Sequence, residues 1–141
     1  MLDNKPIEVS TALNLAFQFY DEENMKHAMR VALHVAENAL IPREYLFECI
    51  SLALMHDLLE DTEFVSNDLP KNFTKALNLL TKPKYMPYDE YCKKIHGATN
   101  TNWGMCAYWV KRADMNEHLS QTDTLTDRLK QKYLSGLRYL L

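Results

Sequence analysis

At 141 residues the chain suits a single domain spanning residues 1–141, and 47% hydrophobic with 25% charged residues is the balance of an ordinary globular protein. A net charge of −3 excludes the overall basic footprint of a nucleic-acid-binding domain, so nucleic acid is not an expected partner. No run approaches the roughly 18–20 uncharged residues of a membrane span, and Met1–Pro6 lacks the apolar core of a signal peptide. The three cysteines, Cys49, Cys92 and Cys106, are an odd number with no close pair in the sequence. They are expected to be free thiols in a reducing compartment, which places the protein in the cytoplasm.

With three glycines and no alternating strand pattern, the chain reads as all-α, a bundle of about six to seven helices. A first helix over Glu8–Tyr20 is expected to bury Ala12, Leu13, Ala16, Phe17 and Tyr20. The acidic cluster Asp21-Glu22-Glu23 suits the start of the second, where the macrodipole favours negative charge. Met25, Ala28, Val31, Ala32, Val35 and Ala39 share one face of it. Pro42 sits at the first turn of a third helix, which is apolar nearly all round from Tyr45 to Met55 and is therefore expected to be central. Ser66-Asn67-Asp68 and Pro70 mark a loop and a new start, with Phe73, Ala76, Leu77 and Leu80 facing inward. Thr81-Lys82-Pro83-Lys84 closes that short helix, because proline disfavours helical geometry in the residue before it. Pro87 opens a helix that Gly97 ends. A longer helix runs over Asn102–His118, and a last one over Thr126–Leu141 buries Leu129, Tyr133, Leu134, Leu137 and Leu140.

The chemistry is concentrated where the third helix ends, at His56-Asp57-Leu58-Leu59-Glu60-Asp61. Charge beside so apolar a helix is costly unless a metal or a partner compensates it. His56 and Asp57 are adjacent candidate metal ligands, and they reach one ion only if it sits off the helix end, since helical neighbours point about 100° apart. Further ligands must come from other helices. His27 and His34 share a face but lie roughly 10 Å apart along the axis, too far to hold one ion together. Asp114 follows an apolar stripe late in the long helix. Glu60 and Asp61, one turn past the His-Asp pair, are placed to activate a water at such a metal or to protonate a leaving group. His34 reads as a satisfied core histidine, His96 and His118 as helix-end residues.

The order His27, His56-Asp57, Asp114 resembles the HD-domain metal-dependent phosphohydrolases. His56-Asp57-Leu58-Leu59-Glu60-Asp61-Thr62 is similar to the HDxxEDT segment of the guanosine polyphosphate (ppGpp) pyrophosphohydrolases and their small single-domain relatives. His27-Ala28-Met29-Arg30, Leu80-Thr81-Lys82, Tyr88-Asp89-Glu90-Tyr91 and Val110-Lys111-Arg112-Ala113-Asp114 resemble further segments of that branch, so the likeness covers about Asn24 to Leu141. It implies a helical HD domain in which His27, His56, Asp57 and Asp114 hold one divalent ion, usually manganese. Glu60 and Asp61 would position and activate the attacking water, and Lys82 and Lys111 would contact substrate phosphate. The implied partner is a phosphorylated small molecule, a nucleotide. The chain departs from the branch in two places. Asp21–Lys26 stands where a basic, glycine-containing loop is usual, and His118 stands where an asparagine follows the last metal aspartate by four residues, Asn116 being out of register. Both departures fall on the substrate side. The resemblance therefore implies hydrolysis of a phosphate ester or anhydride more strongly than ppGpp itself. A nucleoside 5′-monophosphatase and a non-catalytic nucleotide-binding HD module are the alternatives.

Overall fold

The computed structural model describes residues 6–141, and the expectation resting on Met1–Lys5 lies outside them. Among the described residues the fold is all-α with no strand: α1 (Val9–Phe19), α2 (Glu22–Glu37), α3 (Leu46–Met55), the single turn α4 (Leu58–Asp61), α5 (Lys71–Leu79), α6 (Tyr88–Gly97), α7 (Asn102–Ser120) and α8 (Asp127–Leu140). None of these helices is long and apolar enough to cross a membrane.

Most boundaries follow local chemistry. Asp21 caps α2 by accepting from the Asn24 N–H at 2.8 Å, with Glu22 and Glu23 in the first turn against the helix dipole. Thr101 and Thr126 cap α7 and α8 in the same way. Pro70 and Pro87 stand at the N-caps of α5 and α6, where a missing N–H costs nothing. After Pro42 the chain makes a 3-10 turn over Arg43–Tyr45 before α3 begins, so that helix starts later than its proline implies.

The buried apolar residues form one continuous cluster. As expected, α3 is central: it packs on α1, α2 and α7, while α8 lies across α6 and α7. Its Cys49–Met55 stretch is almost wholly buried except at Ile50, but it is not apolar-buried all round, because Phe47 is 72% exposed on the outer side of its first turn. Three further positions differ from the expected core. Phe17 is 62% exposed, since the inward stripe of α1 is Ala12, Ala16 and Tyr20 at four-residue spacing and position 17 lies about 100° off it. Leu134 is exposed beside inward Tyr133 for the same reason. Ala39 lies beyond the end of α2 and faces solvent. For Phe17 and Leu134 a periodic apolar residue sat next to the true stripe, and only the neighbouring helices selected between them; Ala39 is exposed because the helix ends before it.

Two close approaches set up the site. Gly136 lets α8 lie against α6 and α7, because a Cβ there would meet Tyr88 Cε2 at 2.5 Å and Met115 Cε at 2.9 Å. Cys49 and Cys106, distant in sequence, meet across α3 and α7, and the shared hydrogen bond with burial holds the Cys106 thiol well above its usual range. Such a thiol is inert.

Candidate metal centre

The segment His56–Asp61 owes its geometry to a helix break. His56 is the C-cap of α3 in helical conformation, whereas Asp57 leaves the helix at φ −101° and ψ 2° before α4 restarts at Leu58. The break turns the Asp57 carboxylate back beside its neighbour, with His56 Nε2 3.1 Å from Asp57 Oδ2. The Asp57 N–H donates to the Tyr20 hydroxyl at 3.1 Å, tying the break to the end of α1. Thr62 closes α4: its hydroxyl donates to Leu58 O and accepts from the Phe64 N–H. The Thr62 side chain therefore shapes the turn.

His27 from α2 and Asp114 from α7 complete the cluster. His27 Nε2 lies 2.8 Å from Asp114 Oδ1 and 3.9 Å from Asp57 Oδ2. His56 Nε2 lies 3.3 Å from Asp114 Oδ1. His56 Nδ1 is 2.6 Å from the Ala53 carbonyl, which can only accept, so that nitrogen carries the proton and Nε2 is the atom turned to the cluster. Donor atoms around one ion with bonds of about 2.1 Å are about 3 Å apart when adjacent, and the 2.8–3.3 Å separations are close to such edges, while the 3.9 Å from His27 to Asp57 corresponds to a wider angle. His27, His56 and Asp57 thus fit a divalent ion in donor type and spacing, and Asp114 Oδ1 adjoins both imidazoles of that group. His34 takes no part: its Nε2 is 2.8 Å from Glu117 Oε2. His96 binds the Leu140 carbonyl through Nδ1 at 2.8 Å.

Without an ion the charges balance one another. Burial alone would push the His56 ring down, but Asp57 and Asp114 outweigh it and hold its pKa well above 6.5. Burial would raise the Asp114 carboxyl, yet Lys111 beside it, with the three imidazoles of His118, His27 and His56, holds it well below the usual carboxylate range. Two consequences follow for the metal-free protein. The His56 contribution to stability is complete below about pH 6.5 and is lost as pH rises through the raised folded value. The Asp114 contribution is present above about pH 4 and is lost as pH falls through the lowered one.

An ion held there would need the neutral His56 ring and so would displace its proton. Titration of Mn²⁺ near pH 7 in buffers of different ionisation enthalpy is expected to show proton release on binding, with affinity rising as pH rises. Heats that do not depend on the buffer would contradict a protonated His56.

Lys111 is 8% exposed and donates to Asp114 Oδ2 at 2.9 Å, its ammonium about equally close to the Tyr88 and Tyr91 rings. Burial would lower its pKa, but Asp114 keeps it charged. Lys111→Met removes one partner of a buried pair and is expected to cost about 3 kcal/mol, or about 6–12 °C in Tm. An unchanged melting curve would show that the pair contributes nothing.

A cavity of about 140 Å³ opens beside the cluster, lined by Asp57, Glu60, Asp114 and His118 with Lys82, Lys111 and Lys132. Glu60 lines it and its carboxyl is raised, by burial first and then by the charges of Asp57 and Asp61. Asp61 does not line it; it faces a recess with Gln18, Asp21 and Asn24. Its carboxyl is also raised, by burial and by Asp57, with His56 and His27 opposing. Lys82 reaches the rim while donating to the Pro83 and Met86 carbonyls, both at 3.0 Å.

Two residues at the cavity are not among the site residues expected from the sequence, although the resemblance already puts His118 at a substrate-side position. Lys132 enters from α8, over the Tyr88 ring at 4.7 Å. His118 was read as a helix-end residue, yet its Nε2 is 3.4 Å from Asp114 Oδ1. The signal for His118 was its place four residues after Asp114, on the same helical face; Lys132 carried none. Compared with models of known protein families the chain matches none, and no curated protein matches it.

Proposed function

We propose that this chain is an HD-type metal-dependent phosphohydrolase acting on a phosphorylated nucleotide. The observation that carries the reading is the convergence of His27, His56, Asp57 and Asp114, from α2, the α3 break and α7, on one point beside a cavity containing Glu60 and three lysines. A divalent ion held there, manganese in the families the chain resembles, would supply Lewis acidity toward water and phosphoryl oxygens. The chain's own residues do the rest. Lys111, Lys82 and Lys132 place ammonium groups on the cavity wall opposite Asp57, Glu60 and Asp114, and these are the groups that would meet a phosphoryl oxygen. Glu60, with its carboxyl raised by burial and the charge of Asp57, takes the proton from the attacking water or returns it to the leaving oxygen. Asp61 is proposed to assist from the neighbouring recess, its carboxyl raised by burial and Asp57 and opposed by His56 and His27.

The cavity is smaller than the roughly 300 Å³ or more of a typical ligand pocket. It accommodates the phosphoryl end of a nucleotide, with the nucleoside lying on the rim. A guanosine polyphosphate cleaved at its 3′-diphosphate and a nucleoside 5′-monophosphate both present such an end. Incubation of manganese-loaded protein with a nucleotide panel separates them: pyrophosphate release marks the first, inorganic phosphate from a monophosphate the second. Metal binding without turnover of any member would instead mark a nucleotide-binding HD module.

A further inference from the structure

His118 is the fourth group to reach Asp114 and the third imidazole. Its Nε2 is 3.4 Å from Asp114 Oδ1, the same oxygen that has His27 Nε2 at 2.8 Å and His56 Nε2 at 3.3 Å. The potential ligand atoms form two triads, His27–His56–Asp57 and His27–Asp114–His118, each with its atoms within 4.8 Å of one another. The triads share His27, whose Nε2 is the atom near both Asp57 and Asp114. An imidazole nitrogen has one lone pair and cannot serve two ions, so the triads cannot hold an ion each and meet at the single His27 nitrogen. The His118 ring is also held in place: it stacks on Tyr133 at 4.6 Å and 6°, and its centroid is 4.7 Å from that of His27. One carboxylate oxygen facing three imidazole nitrogens is a poor terminal arrangement of hydrogen bonds. It is a good arrangement around a cation.

We infer that His118 is a fifth protein ligand, giving the centre three imidazoles and two carboxylates. The inference rests on the metal-site reading above. Its consequence is selectivity: a donor set rich in imidazole favours Co²⁺ over Mn²⁺, which prefers oxygen ligands. His118→Phe is the discriminating variant, since it keeps the aromatic stack on Tyr133 and removes only the nitrogen; His118→Asn serves as a second, and His34→Ala as a control outside the cluster. Thermal melting followed by circular dichroism identifies the variants that fold.

Affinities for Co²⁺ and Mn²⁺ and the visible absorption of the Co²⁺ form are then measured. Both His118 variants are expected to lose about tenfold or more in Co²⁺ affinity, with a smaller loss for Mn²⁺ and a changed Co²⁺ spectrum, while His34→Ala stays like wild type. Wild-type affinity and an unaltered spectrum in the folded His118 variants would overturn the fifth ligand alone. A wild-type protein that binds neither ion would overturn it together with the metal-site reading.

Discussion

Asp57→Ala is expected to abolish both ion binding and turnover. The substitution removes the carboxylate that the helix break turns toward His56 Nε2, at 3.1 Å, and that stands 3.9 Å from His27 Nε2. Loss of groups that merely orient a ligand costs about 10–100-fold in metal affinity, and loss of a ligand is expected to exceed about 100-fold. The fold should survive, because Asp57 is only partly buried and its backbone N–H still reaches the Tyr20 hydroxyl. Asp114 would be a poorer choice for this experiment: its removal also strands the buried Lys111 ammonium, so a folding defect would obscure the metal result. Metal analysis after dialysis against Mn²⁺ reads the outcome. A full complement of manganese in folded Asp57→Ala would sink the site assignment.

Glu60→Gln is expected to keep the ion and lose turnover by about 10²–10⁴-fold, the usual contribution of a positioned general acid or base. Glu60 lies on the cavity wall outside the cluster of imidazole and carboxylate contacts, so ion affinity should hardly change. The pH profile sharpens the test. A base works deprotonated, so the wild-type rate should fall as pH drops through the Glu60 value, which burial and the charge of Asp57 raise above the ordinary glutamate range. That acid limb should be absent from the residual rate of the variant. Turnover within a few-fold of wild type would remove Glu60 from the chemistry and leave Asp61 as the carboxylate to examine.

The helices were legible because their ends carry local signals. Asp21, Thr101 and Thr126 cap by side-chain acceptance from an N–H three residues on, and Pro70 and Pro87 occupy N-caps, all chemistry confined to a few residues. The exposed sides of Phe17, Phe47 and Leu134 were not legible, since a helix with spare apolar residues offers more than one stripe and the neighbours choose. The three acids and the histidine of the α3–α4 junction could be read as a unit, because they lie within six residues. Their division could not: Glu60 opens to the cavity and Asp61 to another recess, a difference set by the rotation of a single turn. The lysines show the same limit. Lys111 spends its charge mainly on Asp114, Lys82 is held by two backbone carbonyls, and Lys132 arrives on a helix that sequence reasoning had treated only as core.

The sequence by itself determined the all-α fold, the central position of α3 and the types of donor placed at His27, His56, Asp57 and Asp114. These follow from periodicity, capping and a short motif, each a property of neighbours along the chain. Tertiary structure alone decided that Asp114 Oδ1 faces three imidazoles, that His34 is given to Glu117, and that His118 joins the cluster. Convergence on one point depends on how α2, α3 and α7 cross, and that is fixed by packing between residues that lie more than fifty positions apart for the pairs that meet Asp114 from α2 and α3.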